Sequence, residues 1–466
     1  MRNMSYGTVG REGENQPSGG SLGSDSDSDQ TSVRGSGPIL GSEASGISRR
    51  DFLFYSAASA AVVLAGRPLA GAEGNSALKV GLILPEEGPL APEAKSLISG
   101  FEFCLKEKGA DASRLEVHRK DSGADDSKTL EAVAELVVNL KVQFLVAPLS
   151  LEGSVKAVQS LAGANPILFI TNPCVRFVGG EMCLPTAFRV RPNSYQASRP
   201  LGPWALRNAG MKVFLMGDDD EQGNEETDFF THGFEKAGGV FLDRKMVPPG
   251  SEEMETVLAT AVKAEPDFIF AAFRGDSAAA FLKALRNATP AIKQPVIGPE
   301  SLTAFPRIVM AAGKECAGIR TLTAFQNPPQ FTTEIKAKLQ SDVADASRAA
   351  EGYDIATIIS NVAGQIRGEA DSDKIVDFIK GMEIDGPRGK IKFDANHEPI
   401  ISMMVQEWVP EGQSMNQKIL ENLGETRSLD FGCGRVGFPQ RPEEESEAEK
   451  SGDSKDVDAI WDEDNQ

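Results

Sequence analysis

The sequence predicts an α/β protein built from two doubly wound, Rossmann-like lobes. Short apolar runs of strand length, such as KVGLIL at 79–84, recur along the chain, and amphipathic helical segments separate them. Unbroken apolar strands between helices are typical of parallel sheets that are covered on both faces. The strands are also too numerous for one compact sheet, so we expect two lobes in sequence.

The predicted helix 93–108 has a clear helical pattern and a clear end. Leu97, Phe101 and Leu105 recur at helical spacing, and Gly109 follows them as a C-cap residue. The first half is predicted to contain strand 79–84, helix 93–108, helix 127–140, strand 142–147, helix 153–162 and strand 167–170. The second half is predicted to contain helix 194–209, strand 212–216, helix 225–237, strand 240–247, helix 252–264, strand 268–273, helix 276–288, strand 296–297, helix 303–312 and strand 319–323. Helices 347–367 and 372–381 and strands 391–393 and 403–409 complete the pattern.

Composition excludes several classes of function. The 466 residues include 48 Lys and Arg against 68 Asp and Glu, a net charge of −20 that disfavours binding to nucleic acid. The three histidines, His118, His232 and His397, lie far apart without a nearby cysteine, so no zinc site is predicted. No nucleophile–base pattern or phosphate-binding glycine loop is present in the sequence. We therefore expect no enzyme activity and no cofactor.

The N-terminal 72 residues are predicted to be an export signal behind a disordered segment. Residues 1–46 are rich in Gly, Ser and Asp, and the string SRRDFL at 48–53 is followed by an apolar stretch and the AGA site at 70–72. This string resembles the twin-arginine export motif. The alternative is an arginine pair that stands by chance before a buried helix. We expect cleavage after Ala72, passage through the twin-arginine translocase and release into the periplasm.

The C-terminus and the cysteines give two further expectations. Residues 441–466 contain 11 acidic and 3 basic residues and are predicted to be a solvated, disordered tail. Cys174 and Cys183 flank a Gly-Gly turn, and an oxidising compartment would allow a disulfide between them. The odd count of five cysteines leaves at least one thiol free.

Open α/β sheets bind ligands beyond the carboxyl ends of their strands. Several of the loops at those ends also precede helices, whose free N–H groups favour an anionic ligand. Two lobes with facing loops form a cleft that can close on a small molecule. The loops predicted to line this cleft are 85–93, 148–154, 171–178, 217–225, 274–277 and 298–303.

An ordered set of segments carries a resemblance to a known family. They are KVGLILPEEGP at 79–89, VQFLVAPLS at 142–150, ILFITNP at 167–173, GPWALRNAGMKVFLMG at 202–217, PDFIFAAFRG at 266–275, VIGPE at 296–300 and EGYDIAT at 351–357. Together they resemble the periplasmic substrate-binding proteins of ABC importers, of the branched-chain amino acid (leucine/isoleucine/valine-binding) type. The resemblance spans about residues 78–410.

The resemblance implies a type I periplasmic binding protein fold with three crossings between the lobes. The first lobe would comprise 78–192 and 325–385, and the second 193–324 and 386–425. The implied function is capture of a small amino acid, or of a related organic or aromatic acid, for delivery to ABC permease subunits. The alternative is a sensory or regulatory receptor on the same fold.

In this family the first lobe holds the ligand carboxylate, which here implicates Ser150, Leu151, Thr171 and Asn172. Leu151 stands where many members have a serine. This departure weakens the expectation of an α-amino acid ligand. Local backbone capping is an equally common role for Ser150 and Thr171 at strand ends.

The second lobe of the family meets the ligand ammonium with an acid and an aromatic residue. Glu300 aligns with that acid, although an acid there can also cap the following helix. Phe273 and Tyr353 match aromatic positions, and both are also common core residues. Gln222 stands where an aromatic often follows the acidic turn, and Arg274 is a further candidate for a ligand carboxylate or for the rim.

Overall fold

The computed structural model describes residues 77–88, 90–109, 111–123, 126–147, 166–173, 184–251, 253–304, 313–325, 329–366, 371–412 and 414–429. Within these residues the chain contains two sheets, and no helix there is long and apolar enough to cross a membrane. Ser150, Leu151, Cys174, Cys183, the predicted signal and the acidic tail lie outside the described residues.

The first sheet is parallel and has the strand order β2-β1-β3-β4-β5. Its strands are β1 (Leu78–Leu84), β2 (Leu115–Asp121), β3 (Phe144–Ala147), β4 (Ile167–Ile170) and β5 (Ala187–Arg189). The side chains of β3, β4 and β5 are buried throughout, because helices cover this sheet. Helices α1 (Ala91–Lys108) and α2 (Asp126–Ala134) belong to this lobe, and a π-helical turn, Glu135–Asn139, extends α2.

The second sheet has nine strands in a mixed arrangement. A parallel part is formed by β6 (Lys212–Asp218), β7 (Val240–Val247), β8 (Phe268–Ala272), β9 (Val296–Pro299) and β10 (Arg320–Thr323). An antiparallel part adds β11 (Ile384–Gly386), β12 (Gly389–Phe393), β13 (Pro399–Glu411) and β14 (Ser414–Thr426). The strand order is β11-β12-β13-β10-β9-β8-β6-β7, so β7 lies at one end, and β14 pairs with β13.

The helices of the described residues follow the predicted order, whereas the predicted helix 153–162 and residues 305–312 of the predicted helix 303–312 lie outside the described residues. The remaining described helices are α3 (Ser194–Ser198), α4 (Leu201–Asn208), α5 (Glu221–Lys236), α6 (Met254–Lys263), α7 (Gly275–Asn287), α8 (Pro329–Leu339), α9 (Ala346–Gln365) and α10 (Ser372–Lys380). The predicted helix 194–209 is two helices, because Pro200 stands at the start of the second. The α/β prediction with two doubly wound lobes is confirmed.

Two glycines allow α9 to pack closely against α1. A Cβ atom on Gly100 would lie 1.7 Å from the carbonyl oxygen of Ala349, and one on Gly352 would lie 2.0 Å from that of Leu97. Only glycine permits such an approach of two helix backbones. This packing attaches α9, which follows the second sheet in the chain, to the first lobe.

The chain passes between the sheets three times among the described residues. It leaves the first sheet after β5, returns after β10 to form α8 and α9, and crosses again along β13. Phe393 of β12 stacks edge-on against Phe188 of β5 at 5.2 Å, so β12 still lies against the first lobe. The final crossing is therefore made by β13, whose start pairs with β12 and whose end pairs with β10.

Candidate functional site

Charged and polar side chains stand at the carboxyl ends of strands in both sheets. Thr171 follows β4, Asp218 ends β6, Arg274 follows β8 and Glu300 follows β9. These positions agree with the rule that open α/β sheets bind ligands at this edge. We call the groups described below the cleft cluster.

Arg348 is the centre of the first-lobe part of the cleft cluster. Its guanidinium donates to Glu93 Oε2 of α1 at 3.0 and 3.1 Å, and to Glu351 Oε2 of its own helix at 2.7 Å. It also donates to the carbonyl oxygen of Thr171 at 3.1 Å. Burial acts to lower the pKa of Arg348, but the carboxylates of Glu351, Glu93 and Asp345 raise it overall. Arg348 is therefore a permanent cation that joins α1, α9 and the end of β4.

Arg191 lies beside this group on the segment that leads from the first lobe to the second. Its Nη1 donates to the Thr171 carbonyl oxygen at a long 3.4 Å, and it forms no ion pair with any described residue. Burial and the neighbouring charge of Arg348 lower its pKa, against the opposing effect of Glu351, Glu93 and Glu300. Arg191 is half-buried, and a cation that is partly removed from water without a directly paired carboxylate is poorly compensated. The position of Arg191 therefore favours an anion beside it.

The second-lobe part of the cleft cluster is built around Arg274. The guanidinium pairs with both carboxylate oxygens of Asp220 and lies 3.6 Å from Asp218. Asp220 also caps α5 by accepting a hydrogen bond from the Gly223 N–H at 3.1 Å. The acidic turn is thus held by a helix cap and an arginine. Among the described residues no group of acids, histidines or cysteines is arranged to hold a metal ion.

Glu226 brings the second lobe into electrostatic contact with Arg191. Its side chain is buried on α5, and its Oε1 accepts a hydrogen bond from Gln222 Nε2 at 2.9 Å. Burial raises the pKa of Glu226 to about 7, although Gln222 and the charges of Arg274 and Arg191 oppose this. Glu226 therefore changes its charge near neutral pH within reach of Arg191.

Glu300 joins the two lobes by hydrogen bonds. Its Oε1 accepts from the Thr323 hydroxyl of β10 in the second lobe, and its Oε2 accepts from the Ser347 hydroxyl of α9 at 3.1 Å. Both carboxylate oxygens are thus engaged by the protein. The next residue, Ser301, has a buried hydroxyl without a hydrogen-bond partner in the described part of the chain.

The structure places the other predicted site residues differently. Thr171 directs its hydroxyl to the Ala147 carbonyl oxygen at 3.4 Å, and the carbonyl oxygen of Asn172 accepts from Arg189. Phe273 is fully buried and packs on Phe281 at 5.1 Å in the core of the second lobe.

Tyr353 lies on another face of α9 from the cleft cluster. Its hydroxyl donates to Glu107 Oε2 at 2.9 Å, and its ring packs on Phe103 and Phe331. The structure thus brings Gln222, Glu300 and the Thr171 backbone to the cleft cluster, whereas the Phe273 and Tyr353 rings serve packing.

The sequence interpretation missed Arg191, Arg348 and Glu226. Arg348 stands in the first turn of a helix, where the helix dipole disfavours a cation, and that position was an available signal. Arg191 follows a strand of only three residues, and Glu226 lies within a helix; neither position has a local pattern that marks it.

A family model of periplasmic binding proteins matches residues 77–413. The chain belongs to this family. The match confirms the predicted resemblance and agrees with the expectation of binding without catalysis. As members of this family are extracytoplasmic, the chain is extracytoplasmic as well.

Similar proteins give the same family relationship. The Leu/Ile/Val-binding protein homolog 6 of Brucella suis biovar 1 (strain 1330) is 23% identical over 68% of this chain and 83% of its own length. A solute-binding protein of an ABC transporter from Rhodopseudomonas palustris BisB5, solved with 3,4-dihydroxybenzoic acid, aligns with a TM-score of 0.67 and 22% identity. That alignment covers 76% of this chain and 99% of the other.

A second solved structure has the same fold with a different ligand class in its name. A leucine-binding protein from Thermotoga maritima MSB8 aligns with a TM-score of 0.63 and 19% identity, over 74% of this chain and 99% of its own. Both structural likenesses establish the fold that this member of the family shares with them.

Proposed function

We propose that this protein captures a small carboxylic acid between its lobes and delivers it to the permease subunits of an ABC importer. The ligand would be an aromatic or other organic acid, or an amino acid. Membership of the periplasmic binding protein family supports the binding role. The named ligands of the similar solved proteins, leucine and 3,4-dihydroxybenzoic acid, both carry a carboxylate.

The position of Arg191 is the observation that carries this proposal. It lies half-buried on the segment that leads from the first lobe to the second, next to a second cation and without an ion pair among the described residues. A ligand carboxylate is the group that would complete its coordination, since guanidinium and carboxylate form two parallel hydrogen bonds. The positive charge of Arg348 would stabilise the ligand carboxylate electrostatically, while Arg348 stays paired with Glu93 and Glu351.

The other proposed site residues would contact the rest of the ligand or stabilise the closed form. Gln222, which donates to Glu226, would supply the second-lobe contact to the ligand. Glu300 would favour the closed form through Ser347, and an ammonium ligand would compete with those hydroxyls for its charge. Ser150, Leu151, Thr171 and Asn172 stay proposed contacts of the first lobe.

Capture requires that the ligand bind the closed form more tightly than the open form, through contacts to both lobes. Contact of one ligand with Arg191 and with the second-lobe Gln222 would provide that difference. The twin-arginine signal, its translocase partner, the periplasmic release and the Cys174–Cys183 disulfide remain predictions. The sensory alternative has no support of its own, because the similar solved proteins with named roles are transporter components.

A thermal-shift screen followed by calorimetry tests the proposal. The probes are benzoate, 4-hydroxybenzoate, 3,4-dihydroxybenzoate, leucine and isoleucine, with benzyl alcohol as the control that lacks the carboxylate. A bound ligand raises the melting temperature by mass action. We expect at least one acid to bind and its alcohol analogue not to bind; equal binding of acid and alcohol would contradict the proposal.

A further inference from the structure

Strand β7 lies at the open end of the second sheet. It pairs with β6 along one edge, and no described residue pairs with its other edge. An edge strand presents a row of unpaired N–H and C=O groups, which can template the addition of another strand. Most side chains of β7 are exposed or half-buried, as expected at the edge of a sheet, and only Val247 at the end of the strand is fully buried.

Exposed apolar side chains concentrate at this edge. Met211, Val240 and Phe241 are 57%, 44% and 37% exposed, and they are three of the six large apolar side chains that are exposed among the described residues. They are neighbours, since the Val240 N–H donates to the Met211 carbonyl oxygen at 2.7 Å. Exposed apolar side chains next to an open strand edge mark a region that gains from being covered.

The charges of β7 alternate in a way that matches a second copy of the same strand. Phe241, Asp243 and Lys245 are exposed, whereas the intervening Leu242, Arg244 and Met246 are half-buried. In an antiparallel pair related by a two-fold axis through Arg244, Asp243 lies opposite Lys245 of the second copy, and Lys245 opposite its Asp243. Opposite charges at directly facing positions stabilise a strand pair.

The neighbouring registers lack this match. An axis through Asp243 sets two aspartates against each other, and an axis through Lys245 sets two lysines against each other. Such like-charge pairs are destabilising. The register of β7 shifts at Leu242, so the regular part of this pairing is the segment from Asp243 to Lys245. The register through Arg244 sets the two arginines against each other at the axis, but each already has counter-charge from its own lobe, because it pairs with Asp228 of α5.

From these features we propose that the open edge of β7 is a self-association surface, on which two copies of this chain pair β7 with β7 in antiparallel orientation. The pairing extends the sheet across the two-fold axis and covers Val240, Phe241 and Met211. Identical copies associate most often through such two-fold interfaces. The surface lies on strand β7, at the far end of the sheet order from β11 and β12, which contact the first lobe.

Sedimentation equilibrium of the exported, full-length mature protein over a concentration series, with a charge-reversal cycle, tests this proposal. We expect the unaltered protein to show a monomer–dimer equilibrium. Asp243→Lys alone and Lys245→Asp alone should each weaken the dimer about tenfold, because each turns two attractive pairs into two repulsive ones. The double variant Asp243→Lys/Lys245→Asp should return the dissociation constant to that of the unaltered protein.

Two controls separate loss of the β7 contact from a general effect of charge and from misfolding. Lys263→Asp changes an exposed charge on α6 by the same amount and should leave the dimer unchanged. Circular dichroism establishes that each variant is folded. A monomer at all concentrations, a dimer that ignores both single reversals, or a double variant that remains as weak as the single ones would each overturn the proposal.

Discussion

The Arg388–Asp354 pair, at the hinge where the chain passes between the lobes, and Arg191 of the cleft cluster are arranged in opposite ways. At the hinge Arg388 donates to Asp354 Oδ2 at 2.7 Å and to the Val190 carbonyl oxygen at 2.9 Å, and both side chains are buried. In the cleft Arg191 has one long hydrogen bond and a second cation beside it. Arg388 is thus fully paired within the fold, whereas Arg191 has no paired carboxylate among the described residues, which is the arrangement that the proposed ligand contact requires.

A second pair at the hinge strengthens this contrast. Arg189 contacts the Glu398 carboxylate at 3.1 Å, and Glu398 also accepts from Asn193 Nδ2 at 3.1 Å. Asn193 reaches the last described segment by donating to Ser428 Oγ at 2.6 Å. The first and third crossings and the C-terminal segment are thereby joined by buried polar contacts.

The largest expected effect is loss of stability on breaking the hinge pair. Asp354→Ala leaves Arg388 buried without its partner, which should lower the free energy of unfolding by about 3–5 kcal/mol. Urea unfolding monitored by circular dichroism measures it. The double variant Asp354→Leu/Arg388→Met removes both charges and should recover most of the loss. Equal stability of Asp354→Ala and the unaltered protein would show that the hinge charges are not coupled.

The second prediction removes the cleft cation. Arg191→Met should weaken binding of the carboxylic acid found by the screen about 10- to 100-fold, since a hydrogen-bonded charge pair is lost. It should leave stability nearly unchanged, because Arg191 loses only one long hydrogen bond among the described residues. Calorimetry measures the affinity. Arg207→Met, at an exposed ion pair with Glu421, is the matched control and should bind normally. Unchanged affinity in Arg191→Met would remove Arg191 from the site.

The third prediction concerns pH. Burial raises the pKa of Glu226 from its ordinary value of 4.5 to about 7, so the folded state holds a proton that the unfolded state releases between those values. The contribution of protonated Glu226 to the free energy of unfolding is present at low pH and is lost as the pH rises from 4.5 to about 7. Glu226→Gln should therefore gain stability relative to the unaltered protein from pH 4.5 to pH 7. Parallel urea titrations measure the difference, and a difference independent of pH would contradict the raised pKa.

The smallest expected effect is on closure. Ser347→Ala removes the hydrogen bond from the first lobe to Glu300 and should weaken ligand binding only a few-fold, by about 1 kcal/mol or less. Thr323→Ala removes the bond to the same carboxylate from within the second lobe. It is the matched control, and we expect it to change stability more than affinity. Equal affinity losses in the two variants would show that the Ser347 bond has no special part in closure.

The sequence was sufficient for the parts of the fold that rest on local pattern. Helix 347–367 was predicted, and the structure has Ala346–Gln365, because its apolar positions recur at helical spacing. The strand Leu115–Asp121 was not predicted, since its residues, LEVHRKD, are mostly polar at an edge of the sheet. Strand β14 was missed for the same reason, as most of its side chains are half-buried or exposed.

The site was less accessible to sequence reasoning. Glu300 was placed correctly at a strand end, because that position follows from the strand pattern. Tyr353 and Glu351 are two residues apart on α9, and successive helical residues turn by about 100°, so they lie on opposite sides of the helix. Which side faces the cleft depends on tertiary packing against α1. The neighbours of Arg191 are distant in sequence: Thr171 follows β4, Arg348 lies on α9 and Glu226 lies on α5. No local sequence pattern could therefore identify Arg191 as a site residue.

Small-angle X-ray scattering with and without the carboxylic acid tests whether the lobes close on a ligand that Arg191 holds. We expect a saturating acid to lower the radius of gyration of the unaltered protein as the lobes close, and Arg191→Met to show no change at the same acid concentration. A radius of gyration that stays constant with every acid, or that falls equally in Arg191→Met, would contradict this expectation.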